Sequence, residues 1–508
     1  MAISSIPELL AQYAVLTPDA PCLAFEDEML TFADVDARSN RLANALAQHG
    51  IGLGDRVAVL SHTSPVFYEL SFACARLGAI MLPLNWRLAP REIAGIFADA
   101  TPALVIAAVA LRPLLADVVA LPPVISLETA FSTFRDSADA TRLAGRIAPD
   151  APALLLYTSG TTGQPKGVMI SNANLAHVER MAHEAWGFTA DSVNLVAMPL
   201  FHIGGIGYGM MALSQGGHTV LLQAADPPSI IAAINEHAVT HAFFVPTVIH
   251  RLVEHADATG IAPTSLQRIL YGAAPVGEGL LRRAIASFGC QFSHAYGMTE
   301  TAGTVITLSP EDHDPDGLYP ARLRSCGKPL PWVELALVDP VTGRDVATGD
   351  VGEIRIRSGM VMLGYWNKSA ETAAAITAEG WLCTGDAAIR DADGYVTIHD
   401  RYKDMIVSGG ENIYPTELEN VLADHPAVSE VAVIGVPHPK WGETPRAYIV
   451  LRAGQSAVAI DLISFTRDRL AHYKCPTSVV MVDALPRNAT GKILKRALRD
   501  LDRARADA

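Results

Sequence analysis

The chain is 508 residues long, half of them hydrophobic and 18% charged, with a formal net charge of −14. That length exceeds one hydrophobic core, so two or more domains are expected, and the apolar content excludes a globally disordered chain. The acidic balance argues against a nucleic-acid partner, and any site for an anion must then be a local positive spot.

Six cysteines lie scattered without C-x-x-C spacing, which predicts reduced thiols in a cytoplasmic protein rather than a disulfide framework or a zinc site. The start, Met1 to Leu10, lacks a basic segment ahead of an apolar core, and the end, Ala506-Asp507-Ala508, is no peroxisomal or prenylation signal. No targeting segment is expected.

Residues 5–49 read as helix, short hairpin, helix, with Thr31 capping the second helix. Asp55 to Leu60 and Ala79 to Leu84 predict strands around a helix from Pro65 to Leu77. Ala103 to Ala108 and Pro123 to Leu127 are further short apolar runs. Strands alternating with helices predict an α/β fold with a parallel sheet covered on both faces. Residues 130–148 are polar and weakly patterned, as in a surface connection.

Leu154 to Leu156 and Val168 to Ile170 then read as buried strands joined by a tight loop, Thr158-Ser-Gly-Thr-Thr-Gly-Gln-Pro-Lys166. Glycines let backbone N–H groups approach an anion closely, and hydroxyls plus one ammonium add donors. That is the chemistry of a phosphate cradle. It is not a Walker loop, because Gly160 and Lys166 do not fit G-x-x-x-x-G-K-[ST].

A helix is expected from Asn172 to Trp186. Val193 to Leu213 holds no Asp, Glu, Lys or Arg and is long enough to span a bilayer. Pro199, His202 and glycines 204, 205, 207 and 209 argue against a spanning helix. A strand at Val193 to Met198 leading into a buried wall around an apolar ligand is expected instead. Strands and helices alternate again from Thr219 to Ala295, which predicts a second doubly wound unit. Glu334 to Arg357 alternates with period two and predicts a small antiparallel barrel. Beyond Asp400 to Lys403 the pattern restarts as compact α+β. Two domains, 1–400 and 401–508, follow.

Four later segments carry chemistry. Tyr296-Gly-Met-Thr-Glu300 falls at the end of a parallel strand, where doubly wound sheets bind ligands. Trp381 to Asp386 ends in a carboxylate that also reads, on its own, as a turn or cap residue. Lys403 to Glu419 contains Gly409 and Gly410, which permit close backbone approach. Pro486-Arg-Asn-Ala-Thr-Gly-Lys492 is a polar loop near the chain end.

With the phosphate loop, these segments resemble the adenylate-forming enzymes over nearly the whole chain: acyl-CoA synthetases, peptide-synthetase adenylation domains and firefly-type luciferases. The fatty-acyl and aryl-CoA ligase branch is most similar. The resemblance implies a large N-terminal domain of two αβ subdomains and a small β-barrel, with a mobile C-terminal lid hinged near Lys403. It implies that Thr158, Ser159, Gly160, Thr161, Thr162 and Lys166 hold phosphates. Gly272, Ala273, Ala274, Tyr296, Gly297 and Met298 would surround adenine, and Thr299 would touch phosphate. Glu300 with Thr158 would hold Mg²⁺, Asp386 and Arg401 the ribose. Lys492 would bridge carboxylate and α-phosphate, and Lys403, Gly409 and Gly410 would serve the CoA stage.

The acyl site would be walled by His202, Gly204, Gly205, Phe243, Phe244, Gly303 and Thr304, with Gly272, Ala273 and Gly297 nearby. The small residues predict a roomy tunnel. No tryptophan falls at these positions to shrink it to acetate size, and none of them supplies a cation for a second carboxylate. His202 reads either as a satisfied core histidine or, by resemblance, as a residue at the mouth of that site. The implied reaction joins an apolar carboxylic acid to ATP and then to CoA. Its rivals are loading of a carrier protein, luciferase-type oxidation of the adenylate, and non-catalytic nucleotide binding. Oligomeric state stays open, a homodimer included.

Overall fold

The structure, a computed structural model, describes residues 5–506 except 144, 146, 159–164, 275, 409–410 and 488–491. Its first large sheet has seven strands. In spatial order they are Gly364–Tyr365, Lys166–Ser171, Pro152–Thr158, Ile80–Pro83, Arg56–Leu60, Leu104–Ala107 and Val124–Ser126. From Pro152–Thr158 onward neighbours run parallel, while the two pairs at the other edge are antiparallel. Every residue of Ile80–Pro83 and Leu104–Ala107 is buried, as befits strands covered by helices on both faces.

The second sheet has nine strands. At its centre His241–Phe244, Arg268–Gly272 and Gln291–Met298 lie parallel. Gln291–Met298 then turns back into an antiparallel pair with Gly303–Leu308. The hairpin Pro21–Phe25 and Glu28–Thr31 closes the far edge. Thr31 caps helix Phe32–Gln48 as expected. Its hydroxyl accepts from Asp34 N at 3.1 Å, and its own N–H donates to the Asp34 carboxylate at 3.0 Å. Such a cap contributes about 1 kcal/mol.

The glycine-rich stretch, expected as a buried wall, lines an apolar cavity and does so as a helix. Ile203–Leu213 is an α-helix. Its glycines serve close packing: a Cβ on Gly205 would lie 2.2 Å from the Pro199 carbonyl oxygen, and one on Gly209 would lie 1.8 Å from the Tyr68 hydroxyl. Tertiary contact overrides the low helix propensity of glycine here. Helix Pro90–Ala100 was not foreseen, although it buries Ile93, Ile96, Phe97 and Ala100 at helical spacing. The terminal helix Lys495–Ala506 was passed over too.

The small barrel expected after Glu334 takes the form of a four-stranded antiparallel sheet. Its order is Glu334–Val338, Val351–Arg357, Leu382–Arg390 and Val396–Arg401. A bridge from Gly327 to Val396 ties it to the nine-stranded sheet beside Lys328–Pro329. A short turn, Tyr402–Asp404, leads from it into a separate sheet beginning at Ile406–Ser408. There Val428–His438 and Gly442–Leu451 form a long hairpin, and Ser478–Met481 pairs parallel to its second strand.

Lys495, largely covered, lies 2.9 Å from Glu419 and 3.6 Å from Asp400. Burial works against the ammonium, but the two carboxylates hold its pKa above the usual lysine value. Asp400 also accepts from Thr416 N at 3.0 Å. The last strand of the four-stranded sheet is thus fastened to the helices of the C-terminal unit.

Candidate active site

Strands Pro152–Thr158 and Lys166–Ser171 form a hairpin in which Thr158 stands opposite Lys166. Gly167 lies so close to its neighbours that a Cβ there would come within 2.9 Å of Leu155 and 3.0 Å of the Tyr157 ring. The Tyr157 hydroxyl donates to Asp99 at 2.6 Å. The Asp99 carbonyl in turn accepts from Trp366 Nε1 at 3.2 Å, which braces the hairpin from below. Burial, and secondarily Asp99, pushes the Tyr157 phenol pKa up, so it stays a donor. Ser159, Gly160, Thr161 and Thr162 lie outside the described residues.

The Lys166 ammonium sits 4.7 Å over the ring of Tyr365, a cation–π geometry. The hydroxyl of Tyr365 donates to Glu300 Oε1 at 3.0 Å. Glu300 is 8% exposed and belongs to the turn Thr299–Thr301, packed against strand Lys166–Ser171. Its second carboxylate oxygen takes no hydrogen bond among the described residues. Those residues contain no cluster of three or more His, Cys, Asp or Glu able to hold a metal by themselves. That fits Mg²⁺ bound by one carboxylate, with substrate phosphates and waters completing an oxygen shell. Thr158 could add a hydroxyl.

The edge expected to face a nucleotide is built from two parallel strands. Gly272, the end of Arg268–Gly272, pairs with Ala295, and a Cβ on Gly272 would meet the Ala295 carbonyl at 2.1 Å. Ala273 follows in the left-handed region at φ 63°, a strained position for a residue with a side chain, and Ala274 continues the turn. On the adjacent strand Tyr296 donates its hydroxyl to Asp386 at 2.7 Å, joining a residue expected at adenine to one expected at the ribose. Burial first, then the Asp386 charge, pushes the Tyr296 phenol pKa up. Gly297 lies where a Cβ would strike the Gly303 carbonyl at 1.9 Å. Met298 N–H donates to the Thr301 hydroxyl at 3.0 Å, setting the turn that carries Thr299 and Glu300. Arg401 stands opposite Asp386 in strand register. The side chains of Arg401 and Lys403, and both Gly409 and Gly410, lie outside the described set. Trp441, beside Gly442, which pairs with Ser408, is half exposed.

Next to this edge lies a narrow apolar cavity of about 50 Å³ that opens to solvent. Gly204, Phe243, Gly303 and Thr304 line it, as expected. Gly205, Phe244, Gly272, Ala273 and Gly297 do not. The walls that sequence reasoning missed are chiefly Met181, Trp186, Tyr208 and Met211. No tryptophan falls at the foreseen wall positions, but Trp186 joins the lining from beyond the end of helix Asn172–Arg180. A π turn, Met181–Ala185, separates it from that helix. Nothing local in the sequence marks such a turn.

His202 is the N-cap residue of helix Ile203–Leu213, one position before the lining residue Ile203. Burial, with a smaller effect of Arg87, lowers its pKa to about 4, so the imidazole is neutral at pH 7. Its Nε2 is buried and has no hydrogen-bond partner among the described residues. An unsatisfied buried nitrogen argues against the satisfied core role. Tyr365 is the other functional candidate not foreseen. It lies on a two-residue strand whose run, Leu363-Gly-Tyr-Trp, has no periodicity to announce it.

Lys492 leaves a loop closed by the bridge from Arg487 to Ile493 and by Leu494 N–H donating to the Pro486 carbonyl at 2.8 Å. Helix Lys495–Ala506 follows at once. The lysine is thereby carried by the C-terminal sheet, not by the domain that holds Glu300.

Family models match two stretches: residues 10–366 match that of the AMP-binding enzymes, and residues 417–492 that of the AMP-binding enzyme C-terminal domain. The chain is 37% identical to a feruloyl-CoA synthase of Amycolatopsis sp over 96% of each protein. It is 34% identical to the fatty acid–[acyl-carrier-protein] ligase ScoC of Streptomyces coeruleorubidus, over 98% of this chain and 96% of that one. Among solved structures it is similar to the o-succinylbenzoate CoA synthetase MenE of Bacillus subtilis holding the acyl-adenylate OSB-AMP. The TM-score is 0.87 at 33% identity, covering 98% of this chain and 99% of that one. The same protein with ATP and a magnesium ion matches with a TM-score of 0.86 at 33% identity, over 97% and 99% of the two chains. The two family models and these full-length likenesses establish that the chain belongs to the AMP-binding, adenylate-forming enzyme family.

Proposed function

We propose that this protein is an AMP-forming acyl-CoA synthetase acting on an apolar carboxylic acid, either a medium or long chain or a bulky cyclic or aryl acid. One observation carries the reading. The hairpin of Gln291–Met298 and Gly303–Leu308 holds Tyr296 and the Glu300 turn on its nucleotide side, and Gly303 and Thr304 in the wall of the apolar cavity. An acid lying in that cavity with its carboxylate at the Glu300 end meets the phosphates of ATP.

In the first step a carboxylate oxygen attacks the α-phosphorus of ATP and pyrophosphate leaves. In the second the CoA thiol attacks the acyl carbon and AMP leaves. Mg²⁺, when bound at Glu300, neutralises phosphate charge as pyrophosphate departs. Lys166 supplies a fixed positive charge at the phosphate hairpin. Asp386 clamps the ribose hydroxyls, with Tyr296 holding its carboxylate in place. Lys492 is brought in from the C-terminal domain to stabilise charge between carboxylate and α-phosphate, an electrostatic contribution set up before the reaction. The domain then turns about Lys403 so that the segment around Gly409 and Gly410 lines the path of the CoA thiol.

A relative named for a carrier-protein acceptor favours a second reading of the acceptor, in which the acyl group passes to the thiol of an acyl carrier protein. No helix among the described residues is long and apolar enough to cross a membrane. The cytoplasm, where ATP and CoA are available, is the compartment this reading assigns, and a homodimer is the assembly to test by light scattering. The direct test of function is a carboxylate panel with ATP and, in parallel, CoA or carrier protein, scored for AMP and thioester. AMP and acyl-CoA in equal amounts support the proposal; thioester on carrier protein alone transfers it to the second reading. ADP as product, or no acid-dependent AMP, contradicts both.

A further inference from the structure

Two cations of the terminal helix Lys495–Ala506 reach the segment that joins the two domains. Lys495 and Arg499 are four residues apart, so they project from one helix face. Arg499 Nη2 donates to Asp404 at 2.8 Å. Lys495 Nζ stands 3.6 Å from Asp400 and 2.9 Å from Glu419. The two aspartates flank Lys403, three residues before it and one after.

The two pairs differ in what they join. Asp404 follows Lys403 and belongs to the C-terminal unit, so its pair with Arg499 is internal to that unit. Asp400 precedes Lys403, on strand Val396–Arg401, where it pairs with Ala387 of the large domain. Its carboxylate nevertheless accepts from Thr416 N at 3.0 Å and from the Thr416 hydroxyl at 3.1 Å. Thr416 lies in the first turn of helix Pro415–Ala423, whose N-cap residue, Tyr414, makes no side-chain cap bond. An aspartate of the large domain thus caps a helix of the small one, and its negative charge suits that helix end. Glu419 sits on the same helix and also accepts from Val433 N at 2.8 Å, within the small domain.

We infer that Asp400 is a releasable latch between the domains, and that Lys495 is a positioning residue, which through Asp400 fixes where the small domain and its Lys492 rest. This rests on the synthetase reading, in which the small domain turns about Lys403 between half-reactions. Asp400 lies within about 10 Å of that pivot, at ~3.5 Å per residue, and on its fixed side. A large turn therefore draws Lys495 and Thr416 off its carboxylate. Leaving a covered ammonium without any carboxylate is costly. Glu419 removes that cost, because it moves with Lys495 and keeps it paired. The ammonium thus has one permanent partner and one releasable partner, the form of a two-state catch. Lys492 is three residues from Lys495, so the catch holds its loop as well.

The test reads the domain setting directly, by pulsed electron spin resonance on the full chain without ligands. Spin labels are placed on Val341→Cys in the large domain and Gln455→Cys in the small one, both exposed positions. Cys290 and Cys383, the partly exposed native thiols, are replaced by serine. In Asp400→Asn and Lys495→Met the population of interdomain distances other than the main one is expected to rise by about tenfold, the scale of one hydrogen bond to a charged group. Lys495→Arg should restore the original distribution. Arg499→Met, whose pair lies within one domain, should leave it unchanged. The ratio of the two half-reaction rates, each assayed alone, should move by a similar factor in Asp400→Asn and Lys495→Met and return in Lys495→Arg. Unmoved distances in both variants, or an equal change in Arg499→Met, overturn the latch and leave the synthetase reading standing. Moved distances with an unaltered ratio overturn the positioning role. Moved distances in a protein that forms no AMP with any acid overturn the synthetase reading and keep the latch as a property of the fold.

Discussion

The hydroxyl of Tyr365 donates to Glu300 at 3.0 Å while the ring of the same tyrosine carries Lys166 4.7 Å above it. One side chain thus fixes the spacing between the anionic and cationic groups proposed to share the phosphates of ATP. Tyr365→Phe keeps the ring and removes only the hydrogen bond. Adenylation at limiting Mg²⁺ is expected to slow by roughly tenfold, the scale of a hydrogen bond to a charged group. Saturating Mg²⁺ should restore part of it. Pyrophosphate exchange measured across a magnesium titration reads this out, and superimposable curves for variant and wild type count against the arrangement.

Asp386 is held by the Tyr296 hydroxyl at 2.7 Å. Asp386→Asn preserves shape but removes the charge that would strengthen its proposed hydrogen bonds to ribose. KM for ATP should rise by about tenfold, with KM for the acid unchanged. An equal rise in both would place the residue away from the nucleotide.

Gly204 stands where a Cβ would lie 3.5 Å from the Phe243 ring and 3.6 Å from Met198, which is ordinary contact distance. Gly204→Ala should therefore be tolerated, whereas Gly204→Leu projects into the cavity. The leucine variant is expected to lose bulky acids by about 100-fold in kcat/KM, in line with steric discrimination in apolar pockets. Short acids should be retained. Uniform loss across acid sizes would show that the substitution damages the helix rather than the cavity.

The fold also carries an acid-sensitive core. Burial lowers His202, His241, His294 and His313 to about 4 each. Histidine in an unfolded chain titrates near 6.5. Between those values the unfolded chain binds more protons than the folded one, so stability rises with pH there and is lost as pH falls from about 6.5 to about 4. His313 shows why: Tyr271 bonds its Nε2 at 2.9 Å and the Ser309 carbonyl its Nδ1 at 2.7 Å, which suits a neutral ring donating from Nδ1. His313→Gln should be less stable at pH 7 yet show a shallower decline in Tm toward pH 4. A decline as steep as the wild type's would assign the acid sensitivity elsewhere.

Much of this architecture is legible in the sequence where a residue's type decides its role locally. The apolar runs at Ile80–Pro83 and Leu104–Ala107, the Thr31 cap and the hairpin at Thr158 and Lys166 follow from local pattern and composition. The family motifs add Tyr296, Glu300 and Asp386. What escaped depends on contacts between distant segments. The glycines of Ile203–Leu213 read as helix breakers because nothing local reveals that the Pro199 carbonyl and the Tyr68 hydroxyl press against that helix. Trp186 and Tyr365 become site residues only when a π turn and an isolated two-residue strand deliver them to the cavity and to Glu300.

The most direct test of the central claim separates the two half-reactions in Lys492→Ala. Acyl-AMP formation from acid and ATP is followed by pyrophosphate release, and acyl-CoA formation from supplied acyl-AMP and CoA by thioester absorbance. The account predicts that the first falls by roughly 100-fold or more, the scale of removing one preorganised charge-stabilising group, while the second stays near the wild-type rate. Equal loss of both, or adenylation that survives the substitution, would contradict it.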